Sequence, residues 1–215
     1  MSDADIEFFW DPICPWAWIT SRWVVEVAAI RDLRVDWRFI ALRIVNDDKD
    51  YDGDFAGHAV GHDIGLKLLR VAAAVRAGPD GRDRMGPLYT TFGTDIHVHS
   101  RRAELAAELD VGLPDYLRSV GIEPDIIAAA NDPAWDDVLR HDTEQALART
   151  GPDVGTPIIT FHHEGVSPSF FGPVLNRVPR GDEALTLWDA IWTVAGVDGF
   201  AELKRSLRGG PDVAS

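Results

Sequence analysis

The chain has 215 residues, a length that suits one domain, or one domain with a large insertion, and that can bury a substantial core. Its 35 acidic and 21 basic residues give a formal charge of −14, which argues against nucleic acid or an anionic membrane as a partner, because both bind positive charge. Residues 1–5 are polar and acidic, and no apolar run approaches the roughly 20 residues of a membrane span, so we expect neither a signal peptide nor a transmembrane helix. The single cysteine permits no internal disulfide, and we predict a cytoplasmic location.

The first predicted elements form a strand-helix-strand unit. The apolar run Ile6 to Trp10 predicts a strand that ends at the turn signal Asp11-Pro12. A helix is predicted from about Pro15 to Arg31, because apolar residues recur there at helical spacing and a proline suits the first helical position. A second strand over 35–42 is expected to lie parallel to the first, which gives a right-handed βαβ unit.

From about residue 52 to 149 the pattern changes to helices, several of which begin just after Pro or Asp and stop at Gly. About a hundred helical residues between strands of one sheet indicate an inserted helical domain. The sheet then resumes with a strand over 157–161, a hairpin turn at 162–165 and a strand over 166–171, and helices within 181–207 close the chain. The inserted helices are predicted at 56–77, 87–93, 102–109, 114–120, 124–130 and 133–150.

Cys14 stands at the start of the first predicted helix. The first turn of a helix has unpaired N–H groups and a partial positive charge, which stabilise a thiolate, the nucleophilic form of cysteine. We therefore expect a reactive thiol with a pKa of roughly 4–7.5, below the ordinary value of about 8.5. The alternative is a small buried hydrophobe, a common role of free cysteine, but the Cys-Pro-Trp context at a strand-to-helix junction favours a functional thiol.

The run from Phe9 to Trp23 contains Asp-Pro-Ile-Cys-Pro-Trp, which resembles the active-site stretch of the thioredoxin-like DsbA superfamily. The whole run resembles more specifically the cytosolic actinobacterial branch known as mycothiol-dependent nitroreductases. The resemblance covers most of the chain, but the branch carries Cys-Pro-Trp-Cys where this chain has Ala17 at the last place. The other segments that fit are Val154-Gly155-Thr156-Pro157, Phe170 to Leu175, Trp188-Asp189 and Phe200 to Arg205.

The resemblance implies an α/β, thioredoxin-like fold with a large inserted helical domain, as in DsbA. We place the thioredoxin-like domain at residues 1–50 and 151–215 and the inserted helical domain at residues 51–150.

The resemblance also implies a thiol-binding groove around Cys14. In thioredoxin-like folds the proline equivalent to Pro157 is cis and lies against the active cysteine, so that the backbone of Thr156 can pair with an extended thiol substrate; an ordinary strand-entry turn is the alternative. Trp16 is expected to be partly exposed and to stack on a flat substrate or cover the sulfur, unless it only packs. The predicted groove residues are Pro15, Trp16, Asn46, His97, Thr156 and Pro157, with Asn46 matching a polar residue that lines the family's pocket.

Histidines supply further candidates. Residues 92–96 resemble the family segment whose histidine faces the active cysteine, and by that match His97 is a better candidate than His99. It would act either as an imidazolium that favours the thiolate or as a neutral imidazole that relays a proton, and a surface or core histidine without a role is the alternative. His58 and His62 are four residues apart on a predicted helix, a spacing that suits a metal, but no third ligand is evident. We therefore predict no metal, and we predict no nucleotide cofactor.

Ala17 excludes a dithiol cycle within one chain, but a monothiol route survives. The thiolate of Cys14 would attack a disulfide, or an electrophilic adduct that includes a low-molecular-weight thiol, and a second small thiol would resolve the mixed disulfide. The resemblance implies mycothiol as that thiol, with nitro-aromatic or other electrophilic compounds as substrates.

Two other functions stay open at this point. Kappa-class glutathione transferases and hydroxychromene-carboxylate isomerases resemble the chain more weakly, and they act without disulfide chemistry. A thiol-binding or redox-sensing protein without catalysis is the second alternative. The aromatic residues that could be exposed are compatible with a homodimer.

Overall fold

The structure is a computed structural model, and it describes residues 4–107, 109, 113, 117–163, 165–206 and 209–213. Its four strands form one sheet in the order β2-β1-β3-β4. β1 and β2 are parallel, whereas β3 is antiparallel to both β1 and β4. The α/β fold predicted from the sequence is confirmed. The strands are β1 Ile6–Trp10, β2 Val35–Phe39, β3 Ile158–Phe161 and β4 Ser169–Phe171.

The helices follow the predicted order along the chain. The long helix that connects β1 to β2 has the predicted bounds, and so does the first long helix of the insertion. The helices are α1 Pro15–Arg31, α2 Leu42–Val45, α3 Ala56–Ala77, α4 Gly81–Gly93, α5 Arg102–Ala107, α6 Asp136–Thr150 and α7 Gly181–Ala195, with a π-helical segment Thr94–Val98 and 3₁₀ helices Pro124–Asn131 and Pro133–Trp135.

β1 is buried on both faces, which explains why all five of its residues are inaccessible. Phe8 and Trp10 belong to the main hydrophobic core, whereas Phe9 points to the opposite face and packs with Ile158 in a second, smaller core. Successive side chains of a strand alternate between the two faces, so a strand covered on both faces reads as a continuous apolar run. That run is what predicted the strand.

The inserted helices share the main core with the sheet. Trp10 of β1 stacks on Tyr89 of α4 with 4.2 Å between the ring centroids, and Trp37 of β2 meets the same tyrosine edge to face. The division into two domains at residues 51 and 151 stays a prediction. Among the described residues, no helix has the length and the apolar character needed to cross a bilayer.

Buried charges also attach the insertion to the sheet. Arg38 of β2 donates to Asp142 of α6 at 2.7 Å and to Glu7 of β1 at 3.2 Å, and Asp142 also accepts from the backbone N–H of Phe39. Burial alone would raise the pKa of both carboxyl groups, but hydrogen bonds and charges from arginines outweigh burial and hold both pKa values below their ordinary range. The sequence analysis did not anticipate these contacts.

Several predicted bounds were wrong. The second strand ends at Phe39 rather than at residue 42, because the chain turns into α2 there. The helix predicted over 87–93 begins at Gly81 and continues through Pro87. The strand predicted over 166–171 is restricted to Ser169–Phe171, and Val166 forms only an isolated bridge to His163.

Two further predictions differ from the structure or fall partly outside it. After residue 180, α7 is the only helix among the described residues. The prediction of more than one closing helix was therefore wrong. The segment over 124–130 is a 3₁₀ helix. The helix predicted over 114–120 includes residues 114–116, and the hairpin turn over 162–165 includes residue 164, all of which lie outside the described residues.

The end of α4 lies directly against α1. A methyl group at Gly93 would come within 2.1 Å of Cε3 of Trp18, while a methyl group at Gly57 of α3 would meet no atom within 4 Å. We expect Gly93→Ala to lower the free energy of unfolding by about 1–3 kcal/mol, because the core must shift to admit the methyl group. Gly57→Ala is the matched control and should be neutral or slightly stabilising. Urea unfolding followed by circular dichroism measures both, and equal midpoints for the two variants would contradict the close packing of Gly93 on Trp18.

Candidate active site

Cys14 occupies the N-cap of α1, as predicted, with its side chain at the carboxyl end of β1. Its Sγ accepts a hydrogen bond from the backbone N–H of Ala17 at 3.4 Å. The thiol also donates to the carbonyl oxygen of Thr156 at 3.6 Å. The side chain is therefore held between the first turn of α1 and the loop before β3, and only 7 % of the residue is exposed.

The loop before β3 contains the cis Thr156–Pro157 bond that the resemblance implied. The hydroxyl of Thr156 donates to the carbonyl oxygen of Phe9 at 3.0 Å, which attaches this loop to β1. The same residue directs its own carbonyl oxygen at Sγ of Cys14. A second cis bond, Gly172–Pro173, was not predicted; the carbonyl oxygen of Pro173 accepts from the hydroxyl of Thr20 on α1 at 2.7 Å.

The expectation of a low thiol pKa was wrong for this arrangement. Burial raises the pKa of Cys14 to about 12, and the nearby carboxylate of Asp11 acts in the same direction. The backbone N–H groups of Ala17 and Trp16 lower it, but they do not offset the loss of water around a thiolate. The thiol is accordingly protonated at neutral pH in this conformation, and it uses its proton in the contact with Thr156.

Asp11 lies beneath the active-site loop and is fully buried. One carboxylate oxygen accepts from the backbone N–H of Ile13 at 3.0 Å, and the other accepts from the N–H of Leu42 at 2.8 Å. α3 approaches so closely that a methyl group at Gly65 would lie 2.7 Å from Oδ1. Burial raises the pKa of Asp11 to about 6, and the two N–H donors limit the rise. Asp11 thus joins the cysteine loop to the start of α2.

His97, in the π-helical segment, contacts the active-site loop from the insertion. Its Nε2 lies 2.9 Å from the carbonyl oxygen of Pro12, and since a carbonyl only accepts, Nε2 carries the proton. The ring stacks on Trp18 at 5.9 Å between centroids. Burial lowers its pKa to about 4, and the charge of Arg102 acts in the same direction. His97 is therefore neutral at neutral pH, which favours the proton-relay alternative over the imidazolium.

The other predicted groove residues lie around this centre. Pro15 and Trp16 form the first turn of α1 and are half-buried. Asn46, also half-buried, ends α2, and its side-chain amide donates to the carbonyl oxygen of Leu42 at 2.8 Å, so that donor serves the helix end in this conformation. His99 is exposed and turns to Asp95 at 3.3 Å rather than to the cysteine loop. The roles of Pro15, Trp16 and Asn46 stay predictions.

The two histidines of α3 belong to an aromatic cluster rather than to an evident metal centre. His62 accepts or donates a hydrogen bond with the hydroxyl of Tyr51 at 2.7 Å, and Phe55 packs between His58 and His62. Burial lowers the pKa of His62 to about 4. In the part of the chain that the structure describes, no group of three or more His, Cys, Asp or Glu residues could hold a metal ion.

Sequence reasoning missed three residues that the structure brings to the site: Asp11, Trp18 and Arg102. Asp11 was interpreted only as a turn former, since an aspartate before a proline commonly has that role. Trp18 is one of the apolar residues whose spacing predicted the first helix, and no pattern marked Arg102. Only the placement of α2, α3 and the π-helical segment around the cysteine loop gives these residues their positions.

The fold defines a class of protein, those with a thioredoxin-like fold and inserted helices. Similar solved structures include the cytosolic disulfide reductase DsbM from Pseudomonas aeruginosa, with a TM-score of 0.57, 16% identity and coverage of 87% of this chain and 98% of that chain. A 2-hydroxychromene-2-carboxylate isomerase has a TM-score of 0.54 and 13% identity, with coverage of 87% of this chain and 94% of that chain. At these identities the similarity shows the fold alone.

Within that class, residues 13–205 match the model of the Rv2466c-like family, described as mycothiol-dependent nitroreductase Rv2466c, and the chain belongs to this family. The chain is also 29% identical over 208 residues to Rv2286c of Mycobacterium tuberculosis (strain ATCC 25618 / H37Rv), described as an uncharacterized protein, a match that covers 93% of this chain and 81% of the relative. The resemblance recognised from the sequence is confirmed.

Replacing Asp11 by asparagine removes a buried negative charge next to the thiol while keeping the size of the side chain. We expect the pKa of Cys14 to fall and its alkylation by iodoacetamide at pH 8 to become at least about twofold faster, because the thiolate no longer faces a carboxylate. The matched control is Asp189→Asn on the exposed face of α7. An unchanged or higher thiol pKa, measured by the thiolate absorbance at 240 nm, would contradict this assignment.

Protonation of His97 should destabilise the fold at acid pH. Its folded pKa of about 4 lies below the ordinary 6.5, so its contribution to stability is complete above pH 6.5 and is lost as the pH falls towards 4. Because one pKa unit corresponds to about 1.4 kcal/mol, His97→Gln should lose roughly 2 kcal/mol less free energy of unfolding than the wild type between pH 7 and pH 4.5. Glutamine keeps an N–H donor for Pro12, and Asp11 and His62 titrate in both proteins.

Urea unfolding at the two pH values measures this difference. His141→Gln on the exposed face of α6 is the control and should follow the wild type. A His97→Gln protein with the same pH dependence as the wild type would show that His97 is not buried as a neutral ring.

Proposed function

We propose that the chain is a cytoplasmic, thiol-dependent oxidoreductase in which Cys14 is the only nucleophile. The observation that carries the proposal is the position of the Cys14 sulfur, between the Ala17 N–H at 3.4 Å and the carbonyl oxygen of Thr156 at 3.6 Å, next to a cis proline. An extended thiol compound could pair there with the backbone of Thr156 while its sulfur faces Sγ. Membership of a family described as mycothiol-dependent supports mycothiol as the small thiol.

The first step needs the thiol proton to leave, since the resting thiol is protonated. A substrate that donates a hydrogen bond to the carbonyl oxygen of Thr156 competes with the thiol for that acceptor. The N–H of Ala17 then stabilises the sulfur anion that remains. Binding of the substrate and activation of the nucleophile are thereby coupled at one carbonyl group.

The chemistry then proceeds in two exchanges. The Cys14 thiolate attacks the sulfur of an adduct between mycothiol and an electrophilic or nitro-aromatic compound, and an S–S bond forms as the bond between that sulfur and the electrophile breaks. The electrophile leaves with the electron pair and takes up the proton that the Cys14 thiol gave up. A second mycothiol thiolate attacks the sulfur that belongs to the first mycothiol, which releases the Cys14 thiolate and a mycothiol disulfide. The electrophile is reduced by two electrons, and two thiols are oxidised.

The remaining residues have proposed roles around these exchanges. Pro15 and Trp16 would cover the sulfur and contact the bound thiol from the first turn of α1, opposite Thr156 and Pro157. Neutral His97 would relay a proton at the rim, and Asn46 would contribute from the end of α2. A homodimer stays a prediction.

A second candidate function draws on the raised pKa of Cys14. A protonated thiol next to a bound small thiol could donate a hydrogen bond to that thiol's sulfur and stabilise its anion, without forming a covalent bond to it. This is the transferase or isomerase alternative, in which Cys14 never enters a mixed disulfide. A protein that binds the small thiol without turnover is the third outcome.

Intact mass spectrometry separates these functions. The wild type incubated with oxidised mycothiol should gain the mass of one mycothiol on Cys14, and added reduced mycothiol should reverse the gain; oxidised glutathione is the control ligand. Cys14→Ser should gain no mass and should lose at least about a hundredfold in turnover, because serine is a far weaker nucleophile. Turnover of Cys14→Ser near the wild-type rate would favour the transferase or isomerase alternative, and reversible capping without turnover would favour the binding protein.

Ala17→Cys tests the monothiol route directly. Residues 14 and 17 are one turn apart at the start of α1, and Ala17 is already within contact of the Cys14 sulfur. On oxidation the variant should form an intramolecular disulfide, with the loss of two hydrogen atoms in mass. It should also stop accumulating the mixed disulfide, because the introduced thiol resolves it. Ala107→Cys, at the end of α5, is the control and should leave the mixed disulfide in place.

A further inference from the structure

Arg102 holds a distinctive position at the rim of the active-site loop. A methyl group placed at Gly61 of α3 would lie 3.4 Å from Cγ1 of Ile13 and 3.8 Å from Nη1 of Arg102. The guanidinium therefore lies over the N-terminal part of α3, next to the residue that directly precedes Cys14. The positive charge of Arg102 also helps to lower the pKa of both His62 and His97.

The described residues offer this guanidinium no anionic partner. In the part of the chain that the structure describes, no carboxylate lies within ion-pair distance of Arg102, and the residue is exposed. Its neighbours differ: Arg101 pairs with Asp95 at 3.2 Å and Glu104 at 2.6 Å, and Arg43 pairs with Asp63 at 3.0 Å. In a chain with a formal charge of −14, an unpaired arginine beside the reactive centre attracts anions to a surface that otherwise repels them.

Aromatic rings lie next to this charge. Phe55 stands 4.4 Å from His58 and 5.7 Å from His62, centroid to centroid, and Tyr51 packs on Phe55 at 5.3 Å. His62 follows Gly61 directly, so the cluster and the guanidinium share one rim of the site. Tyr51 and Phe55 are half-buried, and the guanidinium of Arg43 lies over the Tyr51 ring at 4.0 Å from its centroid.

We propose that Arg102 selects an anionic aromatic electrophile, such as a nitro-aromatic carboxylate, over its uncharged analogue. The carboxylate would pair with the guanidinium, while the flat ring would pack against the aromatic cluster and direct the nitro group towards Cys14. The inference rests on the proposed function, since it names the substrate class of that same site. Ile13, whose side chain meets the same point of α3 as the guanidinium, directly precedes Cys14 and so links the charged end of the site to the sulfur along the chain.

Binding of two matched compounds tests this selection without depending on turnover. The full-length Cys14→Ser protein is titrated with 4-nitrobenzoate and with 4-nitrobenzamide, with tryptophan fluorescence as the readout. We expect the carboxylate to bind at least fivefold more tightly, and the preference to shrink when NaCl is raised from 50 to 500 mM. Arg102→Gln should reduce the preference to within twofold, and Arg102→Lys should keep part of it.

Arg82→Gln is the control, since Arg82 is an exposed arginine of α4 that contacts Asp36 at 3.8 Å, and it should retain the wild-type preference. An equal affinity for both compounds, no binding of either up to 5 mM, or a preference that survives Arg102→Gln would overturn the proposal. Turnover of the two compounds with mycothiol is measured separately on the wild type. Selective binding of the carboxylate without turnover would contradict the oxidoreductase proposal alone. Turnover without a preference for the carboxylate would contradict the role of Arg102 alone.

Discussion

The buried carboxylate of Asp11 is the constraint on which the geometry around Cys14 depends. A carboxylate without water must be satisfied by donors, and here the backbone N–H groups of Ile13 and Leu42 supply them. These two bonds hold the cysteine loop against the start of α2, and Gly65 lets α3 pack directly on the carboxylate. The Asp11 side chain thus holds together the cysteine loop, α2 and α3.

The reactivity of Cys14 follows from a balance of opposing effects. The N-terminus of α1 offers N–H groups that favour the thiolate, but burial and the charge of Asp11 favour the thiol by a larger amount. The outcome is a thiol that is held in its protonated form against the carbonyl oxygen of Thr156. A substrate that competes for that carbonyl would release the thiol, so the site is suited to become reactive only when it is occupied.

The inserted helices complete the site rather than only cover the sheet. The π-helical segment places His97 on the carbonyl of Pro12, and Trp18 of α1 stacks on the same ring. Arg102 follows shortly after this segment and brings positive charge to the rim. Cys14 and most of the proposed groove residues thus lie outside residues 51–150, and that stretch adds His97 and Arg102 at the rim.

The sequence by itself determined the strand-helix-strand unit around Cys14, the parallel pairing of β1 and β2, and the family, because apolar periodicity and the Asp-Pro-Ile-Cys-Pro-Trp run are local signals. It located Cys14 at a helix N-terminus and Pro157 in a cis bond by resemblance. Only the tertiary structure decided the protonation of the thiol, the burial of Asp11 and the position of the Arg102 charge beside the active-site loop. These properties depend on how completely distant segments exclude water from a group and on which charges they bring near it, and neither is encoded in the spacing of residues along the chain.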